Sequence, residues 1–274
     1  MDVFTCYVGQ GALGVARHSG EAVIVDSFIP EDKRQDVEAK LIRLLRDHKV
    51  PGLILTGFDA DHACPDGVDL ILSKFEPDWV MYPKYYRDTD CATEVFDIIK
   101  KHEQRRASSA RPLRRVSVRL DRLDSRVLTG LSAQFQYELF SPHIDDMDNS
   151  NCSSIVLKLT GNGGSGFSYL ITGDTENDRW KRINELFSRA LRSSVLAAPH
   201  HGSKNAANAE TIILVEPNTV LISAGVDNQY GHPDPAAVAA YARVAKHVFA
   251  TNVEGGVSLF TKPNGSDFET QLVR

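Results

Sequence analysis

Three segments far apart in the chain carry side chains suited to metal-assisted hydrolysis: Asp59-Ala60-Asp61-His62, Thr172-Gly173-Asp174 and Pro199-His200-His201-Gly202-Ser203. One local segment cannot surround an ion and still leave a position for water, so such a site gathers ligands from distant strand ends. A lone Asp-x-Asp is ordinarily a turn or cap, and a lone histidine ordinarily structural. Here one context recurs three times: an apolar strand, a small residue, then a potential ligand. Asp59 can share a cavity with Asp61 and His62, and Gly173 permits close backbone approach beside Asp174. The Asp174 carboxylate can bridge two cations held roughly 3.5–4 Å apart. Of His200 and His201, one can ligate while the other donates a proton or contacts substrate; the expected division is His200 as ligand and His201 as donor.

The elements that must position these residues are legible from hydrophobic periodicity. Val3–Val8, Leu13–Arg17 and Ala22–Val25 read as strands, and Pro30 opens an amphipathic helix with Val37, Leu41, Leu44 and Leu45 on one face. Leu53-Ile54-Leu55 is a short buried strand, so the first acidic motif lies in the loop at its carboxyl end. Helices are predicted from Asp66 or Gly67 through Leu72, from Thr93 to Arg106, and near Trp180–Phe187, Ala209–Val215 and Ala236–Lys246. Strands are predicted at Trp79–Tyr82, Val116–Val118, Phe135–Phe140, Ser154–Leu159, Phe167–Thr172, Val195–Ala198, Val220–Ser223, Val248–Thr251, Val257–Thr261 and Phe268–Leu272. The glycine run from Gly161 to Gly166 has no Gly-Lys-Ser/Thr after it, and reads as a hairpin tip rather than a phosphate cradle. Nothing marks an internal boundary, so residues 1–274 are expected to form one domain of two packed sheets with helices outside.

The same segments carry a family resemblance. Val8-Gly9-Gln10-Gly11 with Val25-Asp26, Asp59 to His62, Asn151 to Leu157, Thr172 to Asp174, Pro199 to Ser203 and Asn228 to Pro233 occur in the order of metallo-β-lactamase superfamily signatures. Within that superfamily the chain resembles the soluble hydrolase domain of the ComEC competence proteins. The resemblance implies a four-layer αββα sandwich, α/β with two mixed sheets, and metals at one edge between them. It also implies metal roles for Asp61, His62, Asp174 and one or both of His200 and His201, with Asp59 in place of a superfamily histidine. His232, in the Gly-His-Pro loop, would be a ligand or a proton donor.

One departure stands out. The family begins its first motif with a histidine two residues before the position of Asp59, where this chain has Gly57. A compensating ligand could come from His143 or from a carboxylate of Asp145, Asp146 or Asp148, although those acids read more readily as a solvated loop. Without it, one ion binds instead of two, or catalysis is lost. An oxygen-rich ligand set makes manganese the first choice, with zinc close behind.

The leading expectation is a phosphodiesterase or nuclease acting on DNA or RNA through a metal-bound hydroxide, with Asp59 or Asp61 orienting the water or taking its proton. His201 or His232 would protonate the leaving oxygen, Lys204 would neutralise phosphoryl charge, and Ser203 and Asn228 would donate hydrogen bonds to a non-bridging oxygen. The alternatives are hydrolysis of a small molecule, such as a cyclic nucleotide or lactone, and a non-catalytic scaffold signalled by Gly57.

Composition bounds the partners. A net charge of −5 and a pI near 6 argue against a surface that coats nucleic acid everywhere. Between Lys100 and Arg126, however, ten lysines and arginines face only Glu103, Asp121 and Asp124, a segment able to track a phosphate backbone. The start of the chain lacks a secretory pattern and no stretch reaches the roughly 18 apolar residues of a membrane span, so a cytoplasmic protein without membrane insertion is expected. The four scattered cysteines read as small buried hydrophobes in a reducing compartment. Because the family's domain is commonly fused to a membrane channel, a partner protein is a further expectation.

Overall fold

Strand alternation explains the layering. In a computed structural model describing residues 1–143, 150–163, 166–265 and 267–274, β1 (Asp2–Thr5), β2 (Gly14–His18) and β3 (Glu21–Val25) form an antiparallel meander. Helix α1 (Arg34–Leu45) then leads to β4 (Lys49–Ile54), α2 (Pro65–Lys74) to β5 (Trp79–Pro83), and α3 (Asp90–Arg106) to β6 (Arg114–Val118). Strands β3 to β6 are parallel, as helical crossovers require.

The second half repeats the plan. β7 (Val127–Leu128), β8 (Phe135–Ser141), β9 (Val156–Gly161) and β10 (Ser168–Ile171) pair antiparallel in turn. After them come α4 (Asn177–Phe187), β11 (Val195–Ala197), α5 (Ala209–Val215), β12 (Thr219–Ile222), α6 (Pro235–Ala242) and β13 (His247–Ala250), with β10 to β13 parallel. The hairpin of β14 (Ser258–Asn264) and β15 (Asp267–Val273) returns to pair beside β1. The result is an eight-stranded sheet, β15-β14-β1-β2-β3-β4-β5-β6, and a seven-stranded sheet, β13-β12-β11-β10-β9-β8-β7.

Alternate residues of β3 serve different layers, since side chains along a strand point to opposite faces. Val23 and Val25 join Trp79, Leu139, Leu157, Leu170 and Leu196 between the sheets, in a core that extends to Trp180, Ile212 and Tyr241 of α4, α5 and α6. Ala22 and Ile24 face the opposite way, into a second core with Leu41 of α1, Ile71 of α2 and Ile99 of α3. This is the expected αββα order. No described helix is long and apolar enough to cross a membrane.

Several predicted boundaries move. The two-residue β7 has too little pattern to register in sequence. Helix α6 ends at Ala242, where the backbone N–H groups of Val244 and Ala245 both turn back onto the Tyr241 carbonyl so that β13 can begin at His247. Asp145, Asp146 and Asp148, the candidate compensating carboxylates, lie outside the described residues.

Candidate metal centre

Parallel strands place their carboxyl ends together, and open α/β sheets bind ligands there. Asp26 follows β3, the segment from Thr56 to His62 follows β4, Asp174 follows β10, and His200 and His201 follow β11. Both sheets thus deliver polar side chains to one seam. Asp61, His62, Asp174 and His201 each offer a donor atom there, all within 4.8 Å of one another.

His62 is held from both sides. Its Nδ1 lies 2.9 Å from Oδ2 of Asp26 and its Nε2 2.8 Å from Oδ1 of Asp174, with both carboxylates buried. Asp26 is fixed in turn by the backbone N–H of Thr56 at 2.7 Å and its hydroxyl at 2.9 Å. Burial opposes charge on His62, but the carboxylates of Asp174 and Asp26 outweigh it and raise the imidazole well above its ordinary value. Asp174 is correspondingly lowered: burial pushes it up, while the charges of His62 and His201 win.

His201 Nδ1 donates to the Ser223 carbonyl at 2.8 Å, an arrangement that leaves Nε2 as the nitrogen free to ligate. That Nε2 is buried without a hydrogen-bond partner, 3.4 Å from Asp61 and 3.8 Å from Asp174. A lone pair facing two carboxylates is repulsive unless a proton or a cation lies between them. Two imidazoles and two carboxylates therefore fit a divalent ion.

The backbone is strained where this happens. His200 and His201 both take left-handed conformations, at φ 50° and 53°, costing roughly 1–2 kcal/mol each for residues with a Cβ. Gly202 follows at φ 80°, and a Cβ there would come within 2.8 Å of Pro233. Gly173, at φ 50°, lets the chain pass Ser154 and Thr56, where a Cβ would meet their side chains at 2.9 and 3.0 Å. The Ser154 hydroxyl accepts from the Asp174 backbone N–H at 3.1 Å.

Beside three of the donors, Asp61, Asp174 and His201, lies an open depression of about 200 Å³, bordered also by Asp59, Asn151, His200, Tyr230 and His232. Asp59 is raised by burial and then by the charge of Asp174. Asp61 is pushed up by burial but ends below its ordinary value because of the nearby His201 and His62. His200 stands outside the group of four, its Nε2 3.9 Å from Asp174 and its Nδ1 3.5 Å from Glu176. His232 is lowered by burial and by the neighbouring His200 and His201, and Tyr230 stacks 5.9 Å from it, 61% exposed.

Not every expected site residue arrives. His201, rather than His200, enters the group of four, and Asp59 stays outside it. His143 forms an isolated bridge to Leu120 beyond β6 and is not in the group. Ser203, Lys204 and Asn228 do not border the depression. Both ends of the Asn228 amide are spent within its own loop, donating to the carbonyls of Gly225 and His232 and accepting from the Tyr230 and His232 N–H groups. Asp26, Thr56, Ser154 and Ser223 support the centre although sequence reasoning gave none of them a site role. Asp26 carried a signal, since it too follows directly on an apolar strand.

Much of the basic run is engaged elsewhere. Arg106 is buried and donates to the carbonyls of Pro77 and Arg111. Arg111 pairs with Asp78, Arg115 with Glu103, Arg119 with Asp121 and Arg126 with Glu138.

No family model matches the chain. Over 123 residues it is 33% identical to the ComE operon protein 3 of Bacillus subtilis, a match covering 44% of the chain and 15% of that protein. The chain thus spans only a small part of that relative's length. Among solved structures, it superposes on the metallo-beta-lactamase fold protein YhfI from Bacillus subtilis with a TM-score of 0.54 and 11% identity, covering 94% of this chain and 99% of that one. Igni18, a metallo hydrolase from the archaeon Ignicoccus hospitalis, gives a TM-score of 0.51 at 14% identity, covering 96% and 100%. These likenesses agree with the strand order and layering: the chain has the metallo-β-lactamase fold, and part of its sequence resembles a ComE operon protein.

Proposed function

We propose that the chain is a metal-dependent hydrolase of phosphodiesters, with DNA or RNA as substrate. The observation that carries this reading is the group of four donor atoms within 4.8 Å, three of whose residues border an open polar depression. Asp61, His62, Asp174 and His201 would hold one divalent ion, manganese or zinc. Such an ion supplies Lewis-acid chemistry, making water acidic near neutral pH and drawing charge from a phosphoryl oxygen.

The chain's own residues divide the remaining work. Asp59, raised by burial and free of the donor group, takes the proton of the attacking water. His200, partly exposed and flanked by Glu176, gives a proton to the leaving oxygen. His232 stays neutral beside the other imidazoles and hydrogen-bonds to the substrate. The resemblance to ComEC hydrolase domains supports nucleic acid over a small ester.

The test is nuclease activity of chelator-stripped protein on labelled DNA and RNA, with manganese or zinc restored, alongside Asp174→Ala and His201→Ala. Cleavage that needs the metal and disappears in both variants supports the reading. Unchanged cleavage in both removes the site. Protein that retains no metal and cleaves nothing is a scaffold that keeps the sandwich without its chemistry.

A further inference from the structure

The absent side chain at Gly57 coincides with a second, smaller pocket. It is narrow, and is lined by Gly57 and Asp59 together with Tyr85, Tyr86, Arg87 and Ser150. Asp59 borders both this pocket and the main depression, so the two are neighbours across one carboxylate.

The pocket is aromatic and basic. Tyr86 rests on Phe58, with ring centroids 4.8 Å apart, and on Phe96 at 5.1 Å, yet stays 42% exposed. The Arg119 guanidinium donates to the Tyr85 hydroxyl at 3.3 Å, fixing the second ring. Arg87 is exposed and has no hydrogen-bond or ion-pair partner among the described residues, unlike most of the arginines between 105 and 126. Anchored but uncovered rings beside an unpaired guanidinium are what a single strand of nucleic acid requires: a flat face for an unstacked base and a charge for its phosphate. A duplex keeps its bases stacked on one another and cannot offer one to Tyr86 without local melting.

We propose that this pocket is a subsite for single-stranded nucleic acid, in which Tyr86 stacks on the base next to the linkage being cut and Arg87 contacts the adjoining phosphate. The proposal deepens the phosphodiesterase reading and rests on it for the position of the cut linkage.

Two measurements on the full chain separate the proposal from the reading beneath it. The first is anisotropy of a labelled single-stranded oligonucleotide and its duplex, in EDTA so that nothing is cleaved. Tyr86→Ala is expected to weaken single-strand binding by about 5–100-fold, Tyr86→Trp to restore it, and Arg87→Ala to lower the salt slope by about one unit. Arg43→Ala, which removes an equal charge from the outer face of α1, is expected to change neither. The second is hydrolysis of the oligonucleotide and of bis-p-nitrophenyl phosphate with manganese present, where Tyr86→Ala should lower kcat/KM for the polymer far more than for the small diester. Wild-type protein that ignores the single strand, Tyr86→Ala that binds as wild type does, or equal losses on both substrates would overturn the subsite. Tyr86-dependent binding with neither substrate hydrolysed would uphold the subsite and overturn the phosphodiesterase reading.

Discussion

The Nδ1 of His62 sits 2.9 Å from Oδ2 of Asp26, a carboxylate that also receives the backbone and hydroxyl hydrogens of Thr56. This contact leaves Nε2 of His62 as the nitrogen that faces Asp174, so Asp26 sets which ring nitrogen would ligate an ion without itself belonging to the donor group. Asp26→Asn keeps the size and loses the charge. It is expected to weaken metal binding by about 10–100-fold with the fold intact, as read by competition with a fluorescent chelator beside a thermal melt.

Acidity acts oppositely on the stripped and loaded protein. The folded His62 value lies above its ordinary 6.5, so its stabilisation is complete below about pH 6.5 and is lost as pH rises through the raised value. Asp174 is lowered from 3.8, so its contribution is present above that value and is lost as pH falls through the depressed one. In EDTA, melting temperatures should therefore decline as pH rises above about 6.5, and His62→Gln should flatten that decline. With metal restored, affinity should instead rise with pH, because Nε2 must shed its proton to ligate.

The adjacent histidines should separate cleanly. His201→Ala is expected to lower metal affinity by at least the roughly 10–100-fold typical of losing an outer partner. His200→Ala should retain the ion and lose about 10²–10⁴-fold in kcat. Metal content by mass spectrometry beside steady-state kinetics distinguishes them, and equal metal loss in both would refute the division.

Position 57 is open to substitution. A Cβ built there meets nothing closer than the Ser154 hydroxyl at 3.9 Å, and that hydroxyl already touches the Asp174 backbone. Gly57→His is expected to fold as the wild type does and to raise metal stoichiometry from one ion per chain towards two. Isothermal titration with zinc reads the change, and unaltered stoichiometry would count against a vacated ligand position.

Gly173 offers a stability test. Alanine there must hold φ 50° with its Cβ 2.9 Å from Ser154, so Gly173→Ala should cost more than about 1 kcal/mol in urea unfolding.

The layers were legible because period-2 and helical patterns survive wherever one face is buried, as in β3 and α1. The strand-end position of Asp61, His62 and Asp174 was legible for the same reason. The exchange of His200 and His201 was not, because both take left-handed φ and only the Ser223 carbonyl, 22 residues on, decides which ring turns inward. Nor could sequence order reveal that Arg106 ends beneath Pro77 or that Asn228 serves its own turn, since each depends on distant or looped-back backbone.

Asp61 and His62 come from one sheet, Asp174 and His201 from the other. An ion gripped by all of them would rivet the two leaves of the sandwich at their open margin, so that sliding one leaf over the other requires ligands to let go. Heat resistance should then track free metal concentration, gaining about 2.7 kcal/mol at a hundredfold excess over Kd. A fragment carrying either leaf alone would have only half the rivet.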